Sequence, residues 1–254
     1  MVNKHMHEKC RLLLGWKIHK VTERIIQMKK LFTAIRQGKI EEVKSIIERK
    51  PELVNCVSGP LPKKDHGQSP LQVAFKTGKY EIADYLIANG ADINFMEEED
   101  EDPGVRMPVL FDAINATIMS LCYRRIEESE IAFTYVKRLI EMGADVNKRA
   151  SHGFDAINQA VGSAELIFER SSVYPEVQDA VRKQLTLILD VLIENGADYV
   201  AWANRGHYAE PCPGPSNKSM FLDEFVPVNE THVDRNKHMR AFMQDYFRSR
   251  NLVV

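Results

Sequence analysis

The stretch that decides the fold is Gly67-Gln68-Ser69-Pro70-Leu71-Gln72-Val73-Ala74-Phe75-Lys76-Thr77-Gly78-Lys79-Tyr80-Glu81-Ile82, closed by Gly90-Ala91-Asp92-Ile93-Asn94. From Leu71 onward it aligns without a gap on Leu31-Phe32-Thr33-Ala34-Ile35-Arg36-Gln37-Gly38-Lys39-Ile40-Glu41-Glu42. Both copies read as a short helix, a Gly-Lys turn and a second amphipathic helix. The closing tripeptide returns at Gly143-Ala144-Asp145 and Gly196-Ala197-Asp198, at intervals of 53 residues. Each copy follows an apolar stripe: Tyr85-Leu86-Ile87, Arg138-Leu139-Ile140 and Val191-Leu192-Ile193. Gly at that place supplies the left-handed conformation that stops a helix. The first two copies continue as Ile93-Asn94 and Val146-Asn147. Upstream stands Leu-x-x-Ala: Leu31 and Ala34, Leu71 and Ala74, Leu110 and Ala113, and Ile157 and Ala160 with Ile for Leu. A small Ala there lets two helices approach while Leu or Ile fills the space between repeats.

On these residues the chain resembles ankyrin-repeat proteins. Gly67 to Ala74 is similar to that family's opening motif G-x-T-P-L-H-x-A, with Ser for Thr and Gln for His, and Gly90 to Asn94 to its closing one. The resemblance covers roughly residues 29–199 and implies an all-α solenoid of antiparallel helix pairs with hairpin-like fingers. The repeats are expected over about 29–56, 65–95, 106–148 and 151–199. A basic N-terminal extension (1–28) precedes them, and a loop with C-terminal capping helices (200–254) follows. The first repeat ends in Pro51-Glu52-Leu53-Val54-Asn55 instead of Gly-Ala-Asp, an irregularity common in a starting cap. A narrower resemblance, to small bacterial ankyrin proteins, implies a neutralising partner of a toxin or an effector.

From the Leu or Ile anchor to the closing Gly the spacings are 19, 33 and 39 residues, so repeats three and four are longer than repeat two by 14 and 20. Fourteen residues amount to about two extra turns on each helix of a pair. Tyr123–Glu130 and Glu165–Tyr174 are then the ends of lengthened hairpins, with Pro175 suited to the first turn of the returning helix. Ile167, Phe168, Val173 and Tyr174 are apolar for such a projection. They are expected to pack one lengthened hairpin on the other.

The 254 residues hold 34 Lys and Arg against 36 Asp and Glu, with 44% hydrophobic residues, which excludes disordered and disulfide-scaffold classes. No apolar run nears the ~18–20 residues of a membrane span, and no secretory apolar core of about 7–15 residues is present. Cys10, Cys56, Cys122 and Cys212 are scattered with no CxxC, so a reducing cytoplasm is the expected location. The charge is segregated: residues 1–30 carry +6 and the remainder −8. Leu13, Trp16, Val21 and Ile25 give the basic segment apolar residues at helical spacing. It is read first as an extension covering repeat one, and alternatively as a membrane or nucleic-acid contact. Past Gly196, Ala203-Asn204-Arg205-Gly206 starts a further finger that Pro211, Pro213 and Pro215 interrupt. Helices are expected from about Ser219 to Phe225 and from about His232 to Ser249. Val233, Met239, Phe242, Tyr246 and Phe247 make the buried stripe of the second.

No phosphate loop, dinucleotide fingerprint, nucleophile elbow or His-Glu-x-x-His helix occurs, so no catalytic residue, cofactor or metal is expected. His5, His7 and Cys10 lack a fourth ligand. The run Glu97-Glu98-Glu99-Asp100-Glu101-Asp102 is expected as a hydrated loop tip, or alternatively as an electrostatic hook for a basic partner.

The family resemblance implies a concave binding face of finger tips and exposed first-helix sides. Carried onto this sequence, it includes Arg36, Gln37, Asp65, His66, Gln68, Lys76, Thr77, Asn115, Ser151, His152 and Phe154. Glu98 and Asp100 stand on the acidic finger, and Trp202, Asn204, Arg205, His207 and Tyr208 past the last closing motif. Trp202, Arg205 and Tyr208 are the preferred anchors, because Trp, Tyr and Arg dominate interface energies. The expected function is non-enzymatic protein binding, with no small-molecule substrate and with neither nucleic acid nor membrane as the primary partner.

Overall fold

The computed structural model describes residues 2–59, 65–97, 106–151, 153–170, 174–201 and 237–252. Its contacts divide the chain into two compact units, Met1–Asp92 and Ile93–Val254. Among the described residues every regular element is helical.

The first unit holds α1 (Val2–Gln37), α2 (Ile40–Arg49), a 3-10 turn (Pro51–Asn55), α3 (Pro70–Lys76) and α4 (Tyr80–Ala88). The extension and the first repeat helix are thus one unbroken α1. Gly38 ends it at φ 69°, with Lys39 N–H donating to the Ala34 carbonyl at 2.9 Å. Gly78 repeats this after α3 at φ 65°, with Lys79 N–H donating to Ala74 at 2.8 Å. These are the left-handed stops that a Gly-Lys pair encodes. Ser69 caps α3: its Oγ accepts from Gln72 N–H at 3.3 Å, and Gln72 Oε1 accepts from Ser69 N–H at 2.9 Å. Gln, standing where the family motif has His, completes this reciprocal box. Leu31, Ala34, Ile35, Val43, Ile46, Leu53, Leu71, Ala74, Phe75, Ile82 and Leu86 are buried as the core.

The second unit holds α5 (Val109–Cys122), α6 (Ile126–Glu141), α7 (Ala156–Arg170), α8 (Pro175–Glu194) and α9 (Lys237–Ser249). Helices α5 and α6 have 14 and 16 residues where α3 and α4 have 7 and 9, so the lengthening is shared equally. The turn between α5 and α6 is closed by Arg124 at φ 57°, with Arg125 N–H donating to Ser120 at 3.1 Å. A non-glycine residue here replaces the Gly of the first two repeats. The long pairs pack on each other: Ile167 and Phe168 are buried, the Arg124 guanidinium lies 3.8 Å from the Tyr174 ring centroid, and Lys183 donates to Glu130 at 3.0 Å. The apolar hairpin end is therefore largely consumed internally, although Tyr174 stays 46% exposed and Val173 lies outside the described residues. Pro175 opens α8 as expected.

Helix α9 buries Met239, Met243, Tyr246 and Phe247. It is fastened to α8 through Asp190, which accepts from Tyr246 Oη at 2.8 Å and from Arg250 Nη2 at 2.7 Å, with Arg250 Nε as a further donor. Ser219–Phe225 and the start of the second expected helix lie outside the described residues.

The Asn that follows or replaces each closing motif has a shared structural task. In the first unit, Asn55 Nδ2 donates to the Gly90 carbonyl at 2.9 Å and its Oδ1 accepts from Asp92 N–H at 2.8 Å. In the second, Asn94 makes the same pair with Gly143 and Asp145 at 3.0 and 2.9 Å. Asn147 makes it with Gly196 and Asp198 at 2.8 and 2.9 Å. One planar amide satisfies a carbonyl and an N–H left free at a helix end. The irregular end of repeat one keeps its Asn for this reason.

Candidate protein-binding surface

The expected face is built where first helices end and where fingers turn into them. In the first unit Gln37 and Lys76 are exposed, and Thr77 and His66 half-buried. The Thr77 hydroxyl donates back to the Val73 carbonyl at 2.7 Å, so it serves the helix end. Lys76 Nζ donates to Gln68 Oε1 at 3.2 Å, joining two of the expected contacts.

Asp65 corrects its expected placement. Its side chain is 0% exposed and forms an ion pair with Arg36, itself 20% exposed. A carboxylate that loses its water must gain a counter-charge, and Arg36 supplies one. Burial lowers the Arg36 pKa from its ordinary value. Asp65 and Arg36 thus brace the finger against the end of α1, and the carboxylate is not presented to a partner. Gln68 is also buried.

In the second unit Ser151 is exposed and Phe154 half-buried. Ser151 N–H donates to the Arg106 carbonyl at 3.0 Å, and its Oγ accepts from Arg106 N–H at 3.1 Å, which ties two fingers together. The acidic run is corrected at its first member: Glu97 is buried, and its Oε2 accepts from Met107 N–H at 2.8 Å. It closes the base of the finger. Glu98, Asp100, His152, Trp202, Asn204, Arg205, His207 and Tyr208 lie outside the described residues.

The structure adds a polar cluster that sequence reading entered only through Asn115. Asn115 Oδ1 accepts from Gln159 Nε2 and from Ser163 Oγ, both at 2.7 Å, across the first helices of two neighbouring repeats. Gln159 and Ser163 stand four apart on α7, a spacing that places them on one face. That spacing was the available signal. Asn115 and Gln159 are half-buried and Ser163 is buried, so the cluster is a polar inset at the edge of apolar packing. At the far end of the long hairpins Tyr123 is 71% exposed.

Chemically these groups present amides, hydroxyls and single charges for recognition. Among the described residues no three His, Cys, Asp or Glu side chains gather as metal ligands. The Cys56 thiol is buried and burial pushes its pKa up to about 12, the opposite of an activated nucleophile. Among the described residues no helix is long and apolar enough to cross a membrane. The side chains of His5, His7 and Cys10 are outside the described residues.

Stacked helix pairs with spliced turn ends define a helical-repeat protein. Residues 1–97 match the family model of ankyrin repeats (3 copies), and this match, with the closing motifs and their Asn bridges, supports an ankyrin-repeat protein. Curated relatives include ankyrin repeat and SAM domain-containing protein 6 of Rattus norvegicus, 29% identical over 128 residues, half of this chain. The protein of the same name from Mus musculus matches to the same extent. The chain spans about 12% of the length of each relative. Ankyrin repeats are in general protein-interaction modules without catalytic activity.

Proposed function

We propose that this chain is a non-enzymatic, cytoplasmic protein-binding module. In this reading it holds a protein partner on the exposed ends of its first helices and on the fingers that lead into them. The observation that supports this is the division of labour at each turn. Asn55, Asn94 and Asn147 hold the turns at set spacings within their units, while Gln37, Lys76 and Ser151 beside the helix ends and fingers remain exposed. A stiff frame with variable exposed side chains binds without a large ordering cost. Trp202, Asn204, Arg205, His207 and Tyr208 belong to the proposed face, with Trp202, Arg205 and Tyr208 as its preferred anchors. The acidic residues Glu98 and Asp100 belong to it as a salt-sensitive edge. A neutralising role against a basic toxin draws on that edge alone, and no separate observation favours it.

The test is a quantitative pull-down from the source cell with wild-type protein and a Trp202→Ala/Arg205→Ala double variant. The proposal expects a partner depleted at least about tenfold by the double change, as for two interface anchors. Equal recovery on both baits overturns the anchor assignment.

A further inference from the structure

Asn115, Gln159 and Ser163 form a closed triangle of hydrogen bonds. Gln159 Nε2 donates to Asn115 Oδ1 at 2.7 Å and to Ser163 Oγ at 3.0 Å, and Ser163 Oγ donates to the same Asn115 oxygen at 2.7 Å. Both hydrogens of the Gln159 amide and both acceptor sites of the Asn115 carbonyl are thereby used. One donor group, Asn115 Nδ2, and one acceptor, Gln159 Oε1, are left over, neither engaged by another described residue. Turning both amides over reverses each bond of the triangle and still leaves one donor and one acceptor. Ser163 is buried while Asn115 and Gln159 are half-buried, so the serine clamps the pair from the packed side and the amides keep an accessible edge. Beside this pair the surface of α7 is bare. Gly162, three residues on from Gln159, is exposed inside the helix, and nothing lies within 4 Å of where a Cβ would stand. Glycine is a poor helix former, and here neither a positive φ nor a crowding neighbour calls for it. The missing side chain leaves room for another backbone to come close. Leu166, seven on from Gln159 and so on the same side of α7, is 38% exposed.

We propose that the Asn115–Gln159 pair docks the main chain of an extended segment of a partner protein, which crosses α7 at Gly162 and sets an apolar side chain against Leu166. The inference rests on the protein-binding reading above and gives it a mode of recognition. In an extended chain the N–H and C=O of one residue point to the same side, so an acceptor and a donor fixed side by side take both. A helix has no such pair to offer, because its own N–H and C=O groups are bonded within it. A nucleic-acid base also presents a donor beside an acceptor. Helix α5 contains no basic residue, however, and α7 none before Arg170, so neither helix offers a cation beside the pair to neutralise phosphate. From Gln159 to Leu166 the helix rises about 10 Å, the length of roughly three extended residues.

The probe is a phage-displayed library of random peptides of about 12 residues, panned on the full chain, whose enriched sequences are then made as labelled synthetic peptides and read by anisotropy. Gly162→Leu should weaken binding at least about tenfold by filling the open surface. Its thermal midpoint should hold or rise, since Leu is the better helix former, which guards against a folding artefact. Gln159→Met, which keeps the length of the side chain and removes the acceptor, should weaken binding about tenfold. Methylating a single peptide N–H should cost a similar factor at one residue and much less at the next, whose N–H points the other way. No enriched peptide, binding unchanged by Gly162→Leu, or equal sensitivity to methylation at every position overturns the inference. A cellular partner recovered equally by wild type and Gly162→Leu removes this docking mode and keeps the protein-binding reading. Peptide binding lost as expected, with partner recovery unchanged by Trp202→Ala/Arg205→Ala, keeps this site and removes those anchors.

Discussion

Arg36 and Asp65 show how a residue that looks like surface polarity becomes structure. Arg36 sits on the last turn of α1 and Asp65 on a finger, 29 residues on. Removing one partner strands the other, and the stranded carboxylate is the worse case because Asp65 has no exposed surface. Arg36→Ala is expected to cost about 3 kcal/mol of unfolding free energy, measured by urea denaturation. Arg36→Met/Asp65→Leu, which removes both charges, should return most of that loss. A double variant as unstable as the single one would show that packing, not charge pairing, dominates here. Neither residue's role was legible from motif position, because burial of Asp65 depends on where the finger folds. Glu97 is the same lesson: six like charges in a row read as hydrated, yet the first turns inward and accepts from the Met107 backbone N–H.

At the scale of elements, the lengths of the hairpins and their stops were readable because helix turns are counted in fixed steps. The added 14 residues of repeat three appear as two turns on each of α5 and α6, and Gly38, Gly78, Gly90, Gly143 and Gly196 all take positive φ. Arg124 in the left-handed region escaped such reading, since only the turn's closure demands it there. The Asn bridges make a direct prediction. Asn147→Ala frees the Gly196 carbonyl and the Asp198 N–H at once and should lower stability by about 1–2 kcal/mol. Asn147→Asp keeps the acceptor but sets a carboxylate oxygen against the Gly196 carbonyl, so it should not recover the loss. Urea midpoints of the two variants against wild type decide this; full stability in either would contradict the bridging role.

For the molecule as a whole, the attachment of α9 should shape how stability varies with pH. Burial pushes the Asp190 carboxyl up, but hydrogen bonds from Arg250 and Tyr246 outweigh it and hold the pKa below its ordinary value. Its contribution is complete above the unfolded value of about pH 4 and is lost as pH falls through the lower folded value. Tyr246 is raised, by burial first and then by its bond to Asp190. Its contribution is complete below about pH 10 and declines as pH rises beyond it. Thermal midpoints should therefore fall at both extremes, and Tyr246→Phe should lower the plateau by about 1.5 kcal/mol while flattening the alkaline decline. An alkaline decline unchanged in Tyr246→Phe would assign it elsewhere. The repeat identity, the doubled helices and the segregation of charge are properties of the sequence alone, because helical period, turn chemistry and net charge are local or additive. Which polar residues turned inward was decided only by tertiary structure. Arg36 with Asp65, Glu97 with Met107, Asn115 with Gln159 and Ser163, and Asp190 with Tyr246 and Arg250 each join groups distant in sequence. A buried polar atom takes whichever partner the fold brings within hydrogen-bond reach, and that proximity is not written at either position.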